Sequence, residues 1–384
     1  RAHFARAEYD QARQEFEKAT QLRPDYIPAR LAATQVAMIR GDNEQALHSV
    51  EELIRMAPNN LQARIMEASA LERVGRESEA RTILDRVLQL QPNRTEALLE
   101  LGMLNLNEKK YKDAEQNFAK AYALQPANLR GLLGESAALR LEGQTQKSVE
   151  LISKELARDP SRIDLQRELG NAQADAGEYD AAIQTFQAVL PKLTDSKARG
   201  DLLTRIGQAY RMKHDTQHSI DALESASKEM PNNPAILTNL AELYAEQANY
   251  QKSRQCYEAA LKVEPNNPVA LNNLAYLLAD TNGDLDLALT YATRARQRMP
   301  DHPEVSDTLG YIYLKKKLTD SALDTFRRLV EQSPGNATYH YHYAIALSAK
   351  GDRDTARRQC QEALSDKPTG KQEQEIRRFM QQLS

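Results

Sequence analysis

The sequence predicts an all-α solenoid of about eleven helix–turn–helix units. Three observations predict it: prolines recur every 34 residues, small and large apolar residues keep step with them, and no stretch reads as a strand. Pro24, Pro58, Pro92, Pro126 and Pro160 are each 34 residues apart, and the series resumes at Pro231, Pro265, Pro300, Pro334 and Pro368. The 71 residues from Pro160 to Pro231 fit two repeats plus three inserted residues around "LPKLTDSKARGD".

The other positions in each repeat explain why it pairs two helices. Twelve residues before each proline stands a small residue (Ala12, Ala46, Ala80, Ala114, Ser148, Ser219, Ser253, Ala288, Ala322, Ala356). Eight before comes a packing residue such as Phe16, Leu84, Phe118, Leu223, Tyr257 or Phe326, and twenty-four before comes another small one, such as Gly102, Gly207 or Gly310. The sixth repeat, which lacks its marker proline, supplies Gly170, Ala182 and Phe186 in register. Small residues at fixed places let two helices approach closely, and the larger side chains fill the space that remains. Turn residues fall between the paired helices: Gly41-Asp42, Gly75, Gly143, Gly177-Glu178, Gly283-Asp284 and Gly351-Asp352. One such pair cannot bury its apolar face alone, so stability must come from stacking.

In chain order, residues 1–26 form a truncated first unit, cut inside its first helix. Residues 27–199 hold units two to six, beginning near 27, 61, 95, 129 and 163, and residues 200–370 hold units seven to eleven, beginning near 200, 234, 268, 303 and 337. Residues 371–384 place Ile376, Phe379, Met380 and Leu383 on one helical face and read as a cap on the last unit. The array is expected to be continuous, the insertion near Pro191 to Gly200 either extending the second helix of unit six or bending the stack. No comparable cap stands at the N-terminus, so further repeats are expected before Arg1. The missing initial Met likewise points to a processed or excised chain. The uncapped first unit is expected to expose Phe16 and Ala19, a surface on which another copy could stack.

Composition narrows function. The 51 Lys and Arg against 54 Asp and Glu leave a net charge of -3, which lacks the basic surface that nucleic acid requires. No apolar run reaches the roughly 18 to 20 residues of a membrane helix, so this segment is expected not to insert. Cys256 and Cys360 form no metal or redox motif and fall on packing positions, where a buried free thiol is expected. The seven His are scattered, no Gly-rich phosphate loop occurs, and Asp284 and Asp286 sit in a turn where solvation or capping explains them. No enzyme, cofactor or metal site is therefore expected. Lys315-Lys316-Lys317 is isolated and reads as a solvated turn. "TYHYHYAIAL" (338–347) imitates a strand and a metal site, but in a helix His340 and His342 end roughly 200° apart and cannot share an ion from one face.

The repeat resembles the tetratricopeptide repeat family, whose motif "AELYAEQANYQKSRQCYEAALKVEPNN" (241–267) carries closely. The resemblance implies a right-handed superhelix that binds extended peptides or partner segments along a concave face lined by first helices. On this basis His340 and Tyr343 pack toward the partner helix. Units two to five offer an apolar groove from Leu31, Met38, Ile65, Met66, Leu99, Met103, Leu106 and Leu133, or else these residues pack between adjacent units. Units eight to eleven offer Asn239, Asn272, Asn273, Tyr276, Asp307, Tyr311, Tyr341 and His342. Asn239 and Asn273 stand at one place in consecutive repeats, where an amide offers the donor and acceptor that a peptide backbone needs. Arg205 and Thr308 flank them, so any asparagine ladder has two rungs. The basic clamp that some relatives use for a C-terminal carboxylate is not recognisable. Looser motifs, "ALNNLAYLLAD", "SDTLGYIYLKKK" and "YHYHYAIALSAKGD", resemble bacterial repeat proteins of the cell envelope and exopolysaccharide export. They imply a periplasmic or envelope setting in preference to the cytoplasm. The expected function is a non-catalytic scaffold for a protein or peptide. The alternatives are a self-assembling array, or the interaction module of a larger protein whose activity lies upstream.

Overall fold

The computed structural model describes residues 9–23 and 25–383 and contains no strand among them. Pro24 and the expected remnant of the first unit's first helix, in residues 1–8, lie outside the described residues. The described residues divide into two compact units, the first ending at Val189 and the second beginning at Leu190.

In the first unit, α1 (Tyr9–Leu22) is followed by five antiparallel pairs: α2 (Ile27–Arg40) with α3 (Asn43–Met56), α4 (Leu61–Arg73) with α5 (Glu77–Leu90), α6 (Thr95–Asn107) with α7 (Tyr111–Leu124), α8 (Arg130–Leu141) with α9 (Thr145–Leu156), and α10 (Ile163–Asp175) with α11 (Tyr179–Val189). The second unit repeats the scheme: α12 (Ser196–Met212) with α13 (Thr216–Glu229), α14 (Pro234–Glu246) with α15 (Tyr250–Val263), α16 (Pro268–Asp280) with α17 (Leu285–Arg298), α18 (Pro303–Lys315) with α19 (Thr319–Gln332), and α20 (Ala337–Lys350) with α21 (Arg353–Ser365). It ends on α22 (Gly370–Gln382), whose Ile376 is fully buried against α20 and α21, with Phe379 and Met380 beside it.

The sequence periods have direct packing meanings. Gly102, Gly170 and Gly310 each lie 16 residues before a phenylalanine of the paired helix: Phe118, Phe186 and Phe326. A Cβ added at Gly310 would stand 2.6 Å from the Phe326 ring, and one at Gly102 would stand 2.7 Å from Phe118. Glycine is therefore the close-contact surface on which each ring lies. The second asparagine of each "PNN" caps the next first helix: Asn60 accepts from the Ala63 amide, Asn233 from Ala235, and Asn267 from Ala270, each at 3.0 Å.

The turn inside each pair uses one left-handed residue, always in the same register. Five of these are Gly41, Gly75, Gly143, Gly177 and Gly351. In the other repeats Lys109, His214, Ala248, Asn282 and Lys317 occupy the same seat at φ of 53 to 60°. Asn282 thus replaces Gly283, the turn residue expected from sequence; asparagine tolerates this region better than most side chains.

Three further expectations need correction. The insertion does not lengthen the second helix of unit six. Instead α11 stops at Val189 in a 3-10 turn, Leu190–Lys192, where Pro191 lacks the amide needed to continue. The extra length goes to the following first helix, the 17-residue α12, which Asp195 caps by accepting from the Ala198 amide at 2.8 Å. Phe16 is not exposed: it is buried with Ala12 and Val36, and Ala19 is partly covered. Within the lysine run, Lys315 ends α18 and Lys316 pairs with Asp286, so only Lys317 is an exposed turn residue.

Candidate partner-binding face

First helices present equivalent residues to one side in each repeat of the second unit. On α16, Asn272, Tyr276 and Asp280 are spaced by four and share a helix face; on α18, Asp307, Tyr311 and Lys315 do the same one repeat later. The result is a connected aromatic row. Tyr276 stacks on Tyr311 with centroids 5.3 Å apart, and Tyr311 lies 5.5 Å from the His342 ring. Tyr341 lies 6.1 Å from His342 and meets Phe379 of α22 edge-on at 5.9 Å. The row therefore runs from α16 through α18 and α20 onto the terminal helix.

Polar groups fix the rings. The Tyr311 hydroxyl donates to Asp280 Oδ1 at 2.9 Å. His342 Nδ1 faces Asp307 Oδ1 at 2.7 Å, and the imidazole is wedged between Tyr311 and Phe326, 5.5 Å from each centroid. Burial raises the Tyr311 phenol, and its donation to the Asp280 carboxylate adds to the effect. Burial also pushes the Tyr276 phenol up to about 12, assisted by the negative charges of Asp280, Asp307 and Glu375. One step upstream, Glu242 is held by Arg211 Nη1 at 3.0 Å and by the Asn273 amide at 3.3 Å. Arg211 also binds Glu246 at 2.8 Å.

The residues named from sequence divide into surface and support. Tyr276 is 41 % exposed, whereas Asn239, Asn273, Asp307, Tyr311 and Tyr341 are partly buried. Asn272 and His342 are buried, and correct the expectation that they line a groove: His342 packs beneath the tyrosines, while Asn272 donates to Asn273 Oδ1 at 3.2 Å and leaves its own Oδ1 without a partner. His340 is also internal, its Nδ1 facing the Gln359 amide and its Nε2 the Pro334 carbonyl, so the packing role expected for it holds.

The apolar groove expected in units two to five is largely core. Ile65 and Met66 belong to a buried cluster with Leu71, Leu84, Leu101 and Leu104, and Leu99 packs with Leu98 and Phe118. Each points into the contact between neighbouring pairs instead of out to solvent. Met103, at 42 % exposure, stands at the surface, unlike Ile65, Met66 and Leu99.

Sequence reasoning did not place Asp280, Lys315, Glu375 or Phe379 on this face. Asp280 carried a signal, since it follows Tyr276 by four, and Lys315 follows Tyr311 by four. Phe379, expected to cap the last unit, also terminates the aromatic row.

No group of His, Cys, Asp and Glu is placed to hold a metal ion among the described residues. Cys360 is fully buried, which pushes its thiol up to about 11, and Cys256 is half-buried and also raised by burial. Among the described residues no helix is long and apolar enough to cross a membrane.

Comparison with known proteins agrees with the architecture. Tetratricopeptide repeat models match residues 197–367 and 136–197, and a model of the N-terminal tetratricopeptide region of Psidin matches residues 30–134. The fold is similar to a chain of the APC/C hetero-tetramer Cut9-Hcn1 (TM-score 0.51, 13 % identity, 100 % of this chain and 94 % of that one). It is also similar to a tetratricopeptide repeat protein from Parabacteroides merdae (TM-score 0.51, 16 % identity, 66 % and 97 % coverage). No curated protein matches the sequence significantly. With its 34-residue helix pairs, its small-to-large packing register and these matches, the chain belongs to the tetratricopeptide repeat family.

Proposed function

We propose that the chain is a non-catalytic scaffold that holds an extended partner segment along the first-helix face of α14, α16, α18 and α20. The observation that carries this reading is the stacked Tyr276–Tyr311 pair, which leaves Tyr276 41 % exposed in line with half-buried Asn239, Asn273 and Tyr341. Solvent-exposed rings of this size are worth most when a partner covers them. The amides of Asn239 and Asn273 beside them supply backbone-matching donors and acceptors. Residues in the core, Ile65, Met66 and Leu99, serve to hold the repeats together.

The experiment is affinity capture from the source cell with the native chain and the Tyr276→Ala/Asn239→Ala variant. Partners lost only in the variant support the reading; a partner set retained in full refutes it. The C-terminal motifs support an envelope or exopolysaccharide-export setting for this scaffold, which fractionation of the source cell tests.

A further inference from the structure

We propose that the Tyr276–Tyr311 platform receives an arginine or lysine side chain from an extended partner segment, with Asp280 and Glu375 as its carboxylate neighbours. This rests on reading the first-helix face as a partner-binding surface, and it specifies what that surface binds.

The platform already holds one ammonium. Lys315 Nζ lies 5.1 Å from the Tyr311 ring centroid, inside the range at which a cation is drawn to an aromatic face. Tyr276 presents the equivalent ring one repeat upstream, stacked on Tyr311 and 41 % exposed. At the place of Lys315 in that upstream repeat stands Asp280. The intramolecular cation of one repeat is thus replaced by an anion in the other.

Carboxylates surround the Tyr276 hydroxyl. Asp280, Asp307 and Glu375 all act on its hydroxyl, and Glu375 acts on Tyr341 as well. Asp307 is taken up by His342 at 2.7 Å, whereas Asp280 accepts one phenolic hydrogen bond and keeps further acceptor capacity. An anionic segment on this surface meets like charge. An apolar one leaves the Asp280 carboxylate desolvated without compensation. A guanidinium or ammonium instead gains the ring faces and the carboxylates together.

The test uses three fluorescein-labelled glycine–serine peptides that differ only in carrying arginine, norleucine or glutamate at their centre. Each is titrated by anisotropy against the full chain and its Tyr276→Leu, Asp280→Asn and Lys315→Met variants, whose unfolding curves are checked by circular dichroism. The arginine peptide is expected to bind about tenfold more tightly than the norleucine one, and the glutamate peptide least. Tyr276→Leu and Asp280→Asn are expected to erase that difference. Lys315→Met removes a competing ammonium and is expected to widen it. Equal affinity for arginine and norleucine, with both lost in Tyr276→Leu, overturns the cation assignment while the groove reading stands. Failure of all three peptides to bind the native chain overturns both. A Lys315→Met variant that strengthens all three peptides equally also contradicts the assignment.

Discussion

The ring of Tyr311 stacks on that of Tyr276 across two consecutive repeats, 5.3 Å between centroids, while its hydroxyl reaches back to Asp280 at 2.9 Å. One residue therefore ties together the first helices of neighbouring repeats and positions the most exposed ring of the row. Support and contact are divided between the two: Tyr311 is packed, and Tyr276 is presented.

That division predicts different costs. Tyr276→Ala, which loses the stack but no hydrogen bond, should cost about 1 kcal/mol of stability while weakening partner binding. Tyr311→Ala should cost more stability, because the Asp280 bond is lost together with the stack. Urea unfolding alongside a binding titration separates the two behaviours.

Gly310→Ala should destabilise the second unit by roughly 1–3 kcal/mol, since the added methyl meets the fully buried Phe326 ring at 2.6 Å. Pairing it with Phe326→Leu should recover part of the loss. A double-mutant cycle of unfolding midpoints measures the coupling, and additive effects would refute the contact.

Ala248→Gly should stabilise by roughly 1 kcal/mol, because Ala248 holds φ at 57° in a seat that five other repeats give to glycine. The same change at Ala245, inside α14, should destabilise by roughly 1 kcal/mol. Denaturant midpoints of the two variants should move in opposite directions.

Glu135 supplies a pH test in the first unit. Burial, with Glu115 nearby, raises its carboxyl from an ordinary value near 4.5 to about 6. A folded value above the unfolded one means this group favours folding most below about pH 4.5 and loses that contribution as pH rises through about 6. Glu135→Gln should therefore stabilise the chain at pH 7.5, and the difference from native should shrink toward pH 4.5. Unfolding midpoints at several pH values check this; a constant difference would contradict it.

Much of this molecule is legible in the sequence because a 34-residue period repeats each contact. The Gly310–Phe326 pair could be anticipated from the same spacing at Gly102–Phe118 and Gly170–Phe186. The second asparagine of "PNN" was visible, though its role as a helix cap emerges only with the side-chain bond from Asn267 to the Ala270 amide. Legibility fails where a helix position faces both the groove and the adjoining pair. Ile65, Met66 and Leu99 occupy such positions, and in the folded chain they lie in buried clusters that join neighbouring helices. His342 is likewise buried, against Tyr311 and Phe326. Tyr276 and Tyr311 could be named in advance, but the link to Asp280 depends on which way the Tyr311 hydroxyl points.

The most direct test of the central claim is site-specific photo-crosslinking in the source cell, with a benzophenone side chain placed in turn at Tyr276 and at Leu90. Leu90 is 65 % exposed and ends a second helix, not a first one. The account predicts a discrete adduct from position 276 and none from position 90. An adduct from position 90 alone would contradict it and move the partner surface off the first helices.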